Sequence, residues 1–125
     1  MRSVGIKVFV AAMCALVLSS NTPAIAHTTL VSSTPRNGAT IHVTPKSFVL
    51  NFSEVLAAID GKSINTITLI GPSKIRVKLD EIRILKSSLS AKPFAPLSIG
   101  RYEISYRVVA EDGHALNGVI KFSIQ

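Results

Sequence analysis

Cysteine occurs once in the 125 residues, at position 14, methionine twice, at positions 1 and 13, and tryptophan not at all. All three sulfur-bearing residues fall within the first 26 positions. Once that stretch is removed, the rest forms no disulfide and offers no soft ligand for cuprous copper, an iron–sulfur cluster or a thiolate zinc site. Any metal must then be held by nitrogen and oxygen. Acidic residues are also scarce, 7 against 14 Lys and Arg, for a formal charge of +7. No helical period of useful length is visible, so there is nothing to cover a parallel sheet, and there is no internal repeat or low-complexity tract.

Positions 1–26 have the three parts of a secretory leader. Arg2 and Lys7 precede an apolar run from Val8 to Leu18, and Ala24-Ile25-Ala26 supplies a small-residue cleavage site. The run is too short to read as a membrane span. Cleavage after Ala26 predicts a mature chain of residues 27–125, enough for one domain with its own core and too few for two. Arg2 and Lys7 leave with the leader, and the charge falls to +5, with 12 basic and 7 acidic side chains. Export sets nucleic acid aside as a partner, and the remaining positive charge reads as a solvated surface, with anionic lipid or an acidic partner as the alternatives.

The mature region reads as short strands separated by turn signals. Phe48, Leu50 and Phe52 alternate with Ser47, Val49 and Asn51, placing three large apolar groups on one face. Ile64 to Ile70 lies between the turn signals Asp60-Gly61 and Gly71-Pro72 and predicts a second strand. Lys74, Arg76 and Lys78 alternate with Ile75, Val77 and Leu79, as in a half-buried strand whose charged face discourages edge pairing. Asp80 to Leu85 continues or follows it, and Ser87 to Pro96 is a looser stretch broken by Pro93 and Pro96. Tyr102, Ile104, Tyr106 and Val108 share one face of a further strand, and Ile120, Phe122 and Ile124 alternate after Asn117-Gly118. These last two should pair antiparallel around a loop from Glu111 to Asn117. Six or seven strands in about a hundred residues predict an all-β Greek-key sandwich or barrel.

Cleavage after Ala26 would leave His27 with a free α-amino group and an imidazole on the same carbon, a chelate for a divalent metal. Asp112 and His114 stand two apart in the connecting loop, so in extended backbone both point the same way, and Gly113 between them permits a tight bend. An Asp-Gly-His triplet alone is more often a turn than a metal site. Joined with His27 it gives three nitrogens and one carboxylate oxygen. That set suits a tetragonal cupric ion, one per chain, with nickel and zinc as weaker competitors. His42 has no partner at metal spacing and reads as a surface or packing histidine.

His27-Thr28-Thr29-Leu30-Val31-Ser32-Ser33-Thr34-Pro35 with Gly38-Ala39, then Leu50-Asn51-Phe52-Ser53-Glu54, then Gly100-Arg101-Tyr102 and Tyr106 through His114 with Gly118, resemble in order the blocks of CopC-type periplasmic copper-binding proteins. The resemblance spans His27 to Gln125. It implies a cupredoxin-like or immunoglobulin-like β-barrel, a periplasmic address, and a role in copper resistance, buffering or delivery to a separate inner-membrane copper transporter. It places the cupric ligands on His27, Asp112 and His114. Glu54 matches a family carboxylate near the copper, as an outer or weak axial ligand or simply a strand-end charge. Nothing matches the methionine-rich loop of members with a cuprous site, so the resemblance is to the cupric-only branch. Thr29 stands where some members have a histidine, and Tyr106 where an indole is common.

The function expected from these residues is non-catalytic copper(II) binding by a monomer. A copper-dependent oxidative enzyme of the histidine-brace type would also use an amino-terminal histidine and a second histidine. It would need an open copper position and an aromatic substrate platform, for which the mature chain has little material. A metal-free structural sandwich would leave His27 and Asp112-Gly113-His114 unexplained.

Overall fold

The computed structural model describes residues 27–60 and 62–125; the expected leader and its cleavage site lie outside the described residues. The chain runs through β1 (Leu30–Thr34), β2 (Ala39–Ile41), β3 (Phe48–Phe52), β4 (Ala58–Ile59), β5 (Lys62–Ser63) and β6 (Thr66–Ile70). After a short 3₁₀ turn at Pro72–Lys74 come β7 (Arg76–Val77), β8 (Leu79–Leu85), β9 (Ser88–Pro93), β10 (Gly100–Val109) and β11 (Ala115–Ile124). The described residues form an all-β sandwich, as expected.

One sheet has the order β1-β3-β9-β8, the other β2-β11-β10-β6-β7, and β4 and β5 form a small separate hairpin. All pairings are antiparallel except β2 with β11. At one edge the chain passes from β1 in the first sheet to β2 in the second, and at the other from β7 to β8. These crossings draw both edges of the sandwich together, towards a barrel.

The core follows from period-two alternation in the strands. Phe48, Leu50 and Phe52 of β3 with Leu89 and Ala91 of β9 face Leu69, Ile104, Val108, Ile120 and Phe122 of the other sheet, all buried. Phe122 stacks on Tyr102 with ring centroids 5.3 Å apart and meets Phe48 at 5.8 Å. Tyr106 packs edge-on to Phe52 at 5.5 Å and lies directly over Gly118, its partner in β11, where any β-carbon would overlap the phenol ring.

Several sequence expectations are corrected. Among the described residues, eleven strand segments replace six or seven, because β2, β4, β5 and β7 are pieces only two or three residues long. Strand β6 starts at Thr66, two residues later than expected, because the Asn65 side chain takes over the hydrogen bonding there. The alternation from Lys74 is broken: Ser73 and Lys74 have φ of 60° and 58°, so Lys74 belongs to a turn and Ile75 is exposed. Ser88–Pro93, expected as a looser stretch, is a central strand of the first sheet, with Leu89 and Ala91 in the core. The β10–β11 hairpin turns before Ala115, leaving Asn117-Gly118 inside β11.

Candidate metal centre

Strand polarity decides which loops meet. Leu30 pairs with Phe52, Val109 with Ala115 and Arg107 with Thr66, so the chain before β1, the segment 53–65 and the 110–114 loop share one end of the sandwich.

Hydrogen bonds tie these pieces together. Thr29 and Ser53 are joined twice, the Thr29 N–H donating to Ser53 Oγ and the Ser53 N–H to the Thr29 carbonyl, each at 2.9 Å. Two residues on, the Val55 carbonyl accepts the Glu111 N–H at 3.0 Å, and the Ala57 N–H donates to the Val109 carbonyl at 2.8 Å. Segment 53–57 thus bridges the amino-terminal stretch to the Asp-Gly-His loop. Asn65 reinforces the bridge: its Nδ2 donates to the Ala57 carbonyl at 2.9 Å and its Oδ1 accepts the Val109 N–H at 2.8 Å.

The loop itself is closed by its own residues. Ala110 N–H donates to the His114 carbonyl and Gly113 N–H to the Ala110 carbonyl, both at 2.9 Å. Gly113 has φ of +90°, the left-handed region that glycine enters without strain. The Asp112 carboxylate spends both oxygens on residue 114, Oδ1 accepting its backbone N–H and Oδ2 lying 2.9 Å from its Nδ1. These contacts, the side-chain one first, hold the Asp112 carboxyl below the usual carboxylate range. With Nδ1 facing a carboxylate, Nε2 is the ring nitrogen left for another partner.

The structure therefore brings Asp112 and His114 together, at an exposed position. Among the described residues it gathers no set of three His, Cys, Asp or Glu side chains, so the His27 imidazole does not complete the site here. Thr28 is buried and docked at this end, and its hydroxyl has no hydrogen-bond partner among the described residues; His27, next to it, is exposed. In the full-length sequence the nitrogen of residue 27 is still in peptide linkage to Ala26. Glu54 is half-buried in the bridging segment. His42 follows β2 at the opposite end of the sandwich, exposed and remote from His114.

Sequence reasoning missed Asn65. The one signal available was an amide within the apolar run Ile64 to Ile70, a residue that must find partners if buried.

The CopC domain family matches residues 30–125. Copper resistance protein C of Xanthomonas campestris pv. juglandis is 35% identical over 107 residues, covering 82% of this chain and 83% of its own length. Among solved structures, CopC from Methylosinus trichosporium OB3b superposes with a TM-score of 0.68 at 21% identity, over 79% of this chain and 94% of that one. PcoC, a methionine-rich copper resistance protein from Escherichia coli, gives 0.67 at 27% identity, over 80% of this chain and 100% of that one.

Proposed function

The chain belongs to the CopC domain family, and we propose from this premise that it is an exported, non-catalytic copper(II)-binding protein of copper resistance. The observation that carries the reading is the Asp112–His114 loop, closed by its own hydrogen bonds, exposed, and bridged through Ser53–Ala57 to the start of the domain. Removal of residues 1–26 frees the His27 amine beside its imidazole, and residues 27–125 are then one domain. Those two nitrogens, His114 Nε2 and an Asp112 oxygen form the cupric site. The carboxylate retains lone pairs beyond the two that residue 114 uses. Three nitrogens and an anionic oxygen favour one cupric ion over zinc, and a chain without Met or Cys after residue 14 has nothing to hold cuprous copper. The solved relative described as methionine-rich differs from this chain in that respect.

The protein works in the periplasm as a monomer that buffers copper or hands it to a separate inner-membrane transporter. An oxidative enzyme is the weaker reading. Tyr102 and Tyr106 are buried, and among the described residues the one exposed aromatic, Phe94, lies at the opposite end from His114. Copper titration of the protein beginning at His27 tests the proposal. One cupric equivalent should bind, with severe loss in His114→Ala and little change in His42→Ala, and a cuprous chelator should strip the metal after reduction. Equal losses in the two variants, or retention of cuprous copper, would overturn it.

A further inference from the structure

The end of the sandwich remote from His114 carries four exposed apolar side chains: Val43 (78% exposed), Ile75 (65%), Phe94 (60%) and Ile99 (74%). They stand on three connections, β2 to β3, β6 to β7 and β9 to β10. These connections are tied to one another and to the strands beneath. Thr44 Oγ1 donates to the Leu97 carbonyl at 3.2 Å, the Phe94 N–H to the Lys78 carbonyl at 3.0 Å, and the Tyr102 hydroxyl to the Ser98 carbonyl at 2.8 Å.

Cations surround the apolar tips. Lys46, Lys74, Arg76, Lys78, Lys92 and Arg101 are all exposed at this end, with Asp80 and Glu81 on β8 and the half-buried Glu103 on β10 as the nearby carboxylates. Glu81 is spent on Lys92 at 2.8 Å and Arg83 at 3.5 Å. Lys78 Nζ sits 4.0 Å from the centre of the Phe94 ring, so an exposed aromatic and a cation are presented together. The Asp112–His114 end also exposes apolar side chains, Val55, Ile59 and Leu85, but its loops carry the carboxylates Glu54, Asp60, Glu111 and Asp112, so the two ends differ in charge.

Exposed apolar side chains occur at both ends and need no explanation singly; what sets this end apart is that its apolar tips stand among cations. We propose that this end docks on an anionic phospholipid bilayer, with Phe94, Ile99, Ile75 and Val43 entering the interface and the cations at the lipid phosphates. Apolar groups at the headgroup–acyl boundary and basic groups at an anionic surface reinforce one another. An acidic protein would match the cations, but separate loop tips offer it no continuous apolar centre. A fluid interface accommodates them one at a time. Strands β10 and β11 span ten residues each, and at about 3.3 Å per residue they hold the two ends roughly 30 Å apart. The docked protein thus turns its Asp112–His114 loop away from the bilayer.

The test uses the chain from His27, since every described strand and core side chain lies within Leu30–Ile124 and the apolar run at 8–18 would itself partition into lipid. Because the sequence has no tryptophan, Phe94→Trp and Leu85→Trp are single reporters at opposite ends. With vesicles of phosphatidylethanolamine and phosphatidylglycerol, Phe94→Trp emission should shift to the blue and Leu85→Trp emission should not, and neither should respond to pure phosphatidylcholine. Each cation near an anionic surface is worth roughly fivefold in partitioning, so Lys74→Ser with Lys78→Ser should weaken sedimentation with these vesicles by at least about tenfold, while circular dichroism shows the fold intact. His114→Ala should sediment like the parent, which keeps this test independent of the copper reading. No sedimentation with anionic vesicles at low salt, a blue shift at position 85 instead of 94, or binding to polyglutamate in preference to vesicles would overturn the proposal.

Discussion

Replacing Asn65 by alanine should destabilise the domain and loosen the 110–114 loop together, because one amide joins the two segments that frame it. Asn65 is only 6% exposed. It donates to the Ala57 carbonyl and to Ser63 Oγ, at 2.9 and 3.2 Å, and accepts the Val109 N–H at 2.8 Å. Alanine leaves the Val109 donor and the Ala57 acceptor without their partner. Each stranded, partly buried backbone group costs about 1–2 kcal/mol, for a total of roughly 3 kcal/mol. For a domain near a hundred residues this lowers Tm by roughly 12–24 °C. Urea unfolding of the chain from His27 measures the loss. Ser63→Ala, which removes the longer bonds that Ser63 Oγ accepts from the Asn65 N–H at 3.1 Å and from Asn65 Nδ2 at 3.2 Å, should cost less, about 1 kcal/mol. At a temperature where both proteins are folded, Asn65→Ala should also bind cupric copper more weakly than the parent, because the Ala57–Val109 contact beside the loop has lost its support. Stability within about 0.5 kcal/mol of the parent, the usual range for a surface substitution, would mean that the Asn65 amide does not hold the Ala57–Val109 junction.

Other outcomes follow from single contacts. Gly118→Ala forces a methyl into the Tyr106 ring and should cost about 1–3 kcal/mol; a neutral result in thermal unfolding would mean that the ring moves aside freely. Asp112 has its folded pKa depressed chiefly by the His114 side-chain contact, so its contribution to stability is present above the ordinary carboxylate pKa and is lost as pH falls through the folded value. Asp112→Asn should therefore be less stable than the parent at neutral pH and converge with it once the pH falls below the depressed folded pKa. Parallel acid unfolding curves over the whole range would show that the contact contributes nothing.

The strands with strict alternation of large apolar groups, β3 and β10, were legible because burial on one face demands period two. Strand β9 was not, since Ser-Leu-Ser-Ala-Lys-Pro has few bulky residues and its proline occupies the strand's last position. The β10–β11 hairpin had two candidate turns, Asp112-Gly113 and Asn117-Gly118. The first turns because the Asp112 side chain closes on the residue-114 N–H, and the second glycine is required instead by the ring of Tyr106. The closeness of Asp112 and His114 was readable from their spacing, but it arises in a turn at Gly113 and not in the extended backbone expected. The convergence of the amino terminus on that loop depends on Thr29–Ser53 and Val55–Glu111, contacts far apart in sequence that no local pattern encodes. Asn65 is the same case, its partners lying 8 and 44 residues away.

The proposed copper site stands or falls with a free amine at His27. An α-amino group has an unperturbed pKa of about 7.7–8.0, so cupric copper displaces its proton near neutrality, whereas a peptide nitrogen in that position is a far poorer ligand. The chain beginning at His27 and the same chain with one additional residue before His27 should fold alike, because no described strand or core residue precedes Leu30. Cupric titration with electron paramagnetic resonance should show weaker binding and a changed spectrum for the extended protein. Identical affinities and identical spectra would mean that the amino terminus is not a ligand.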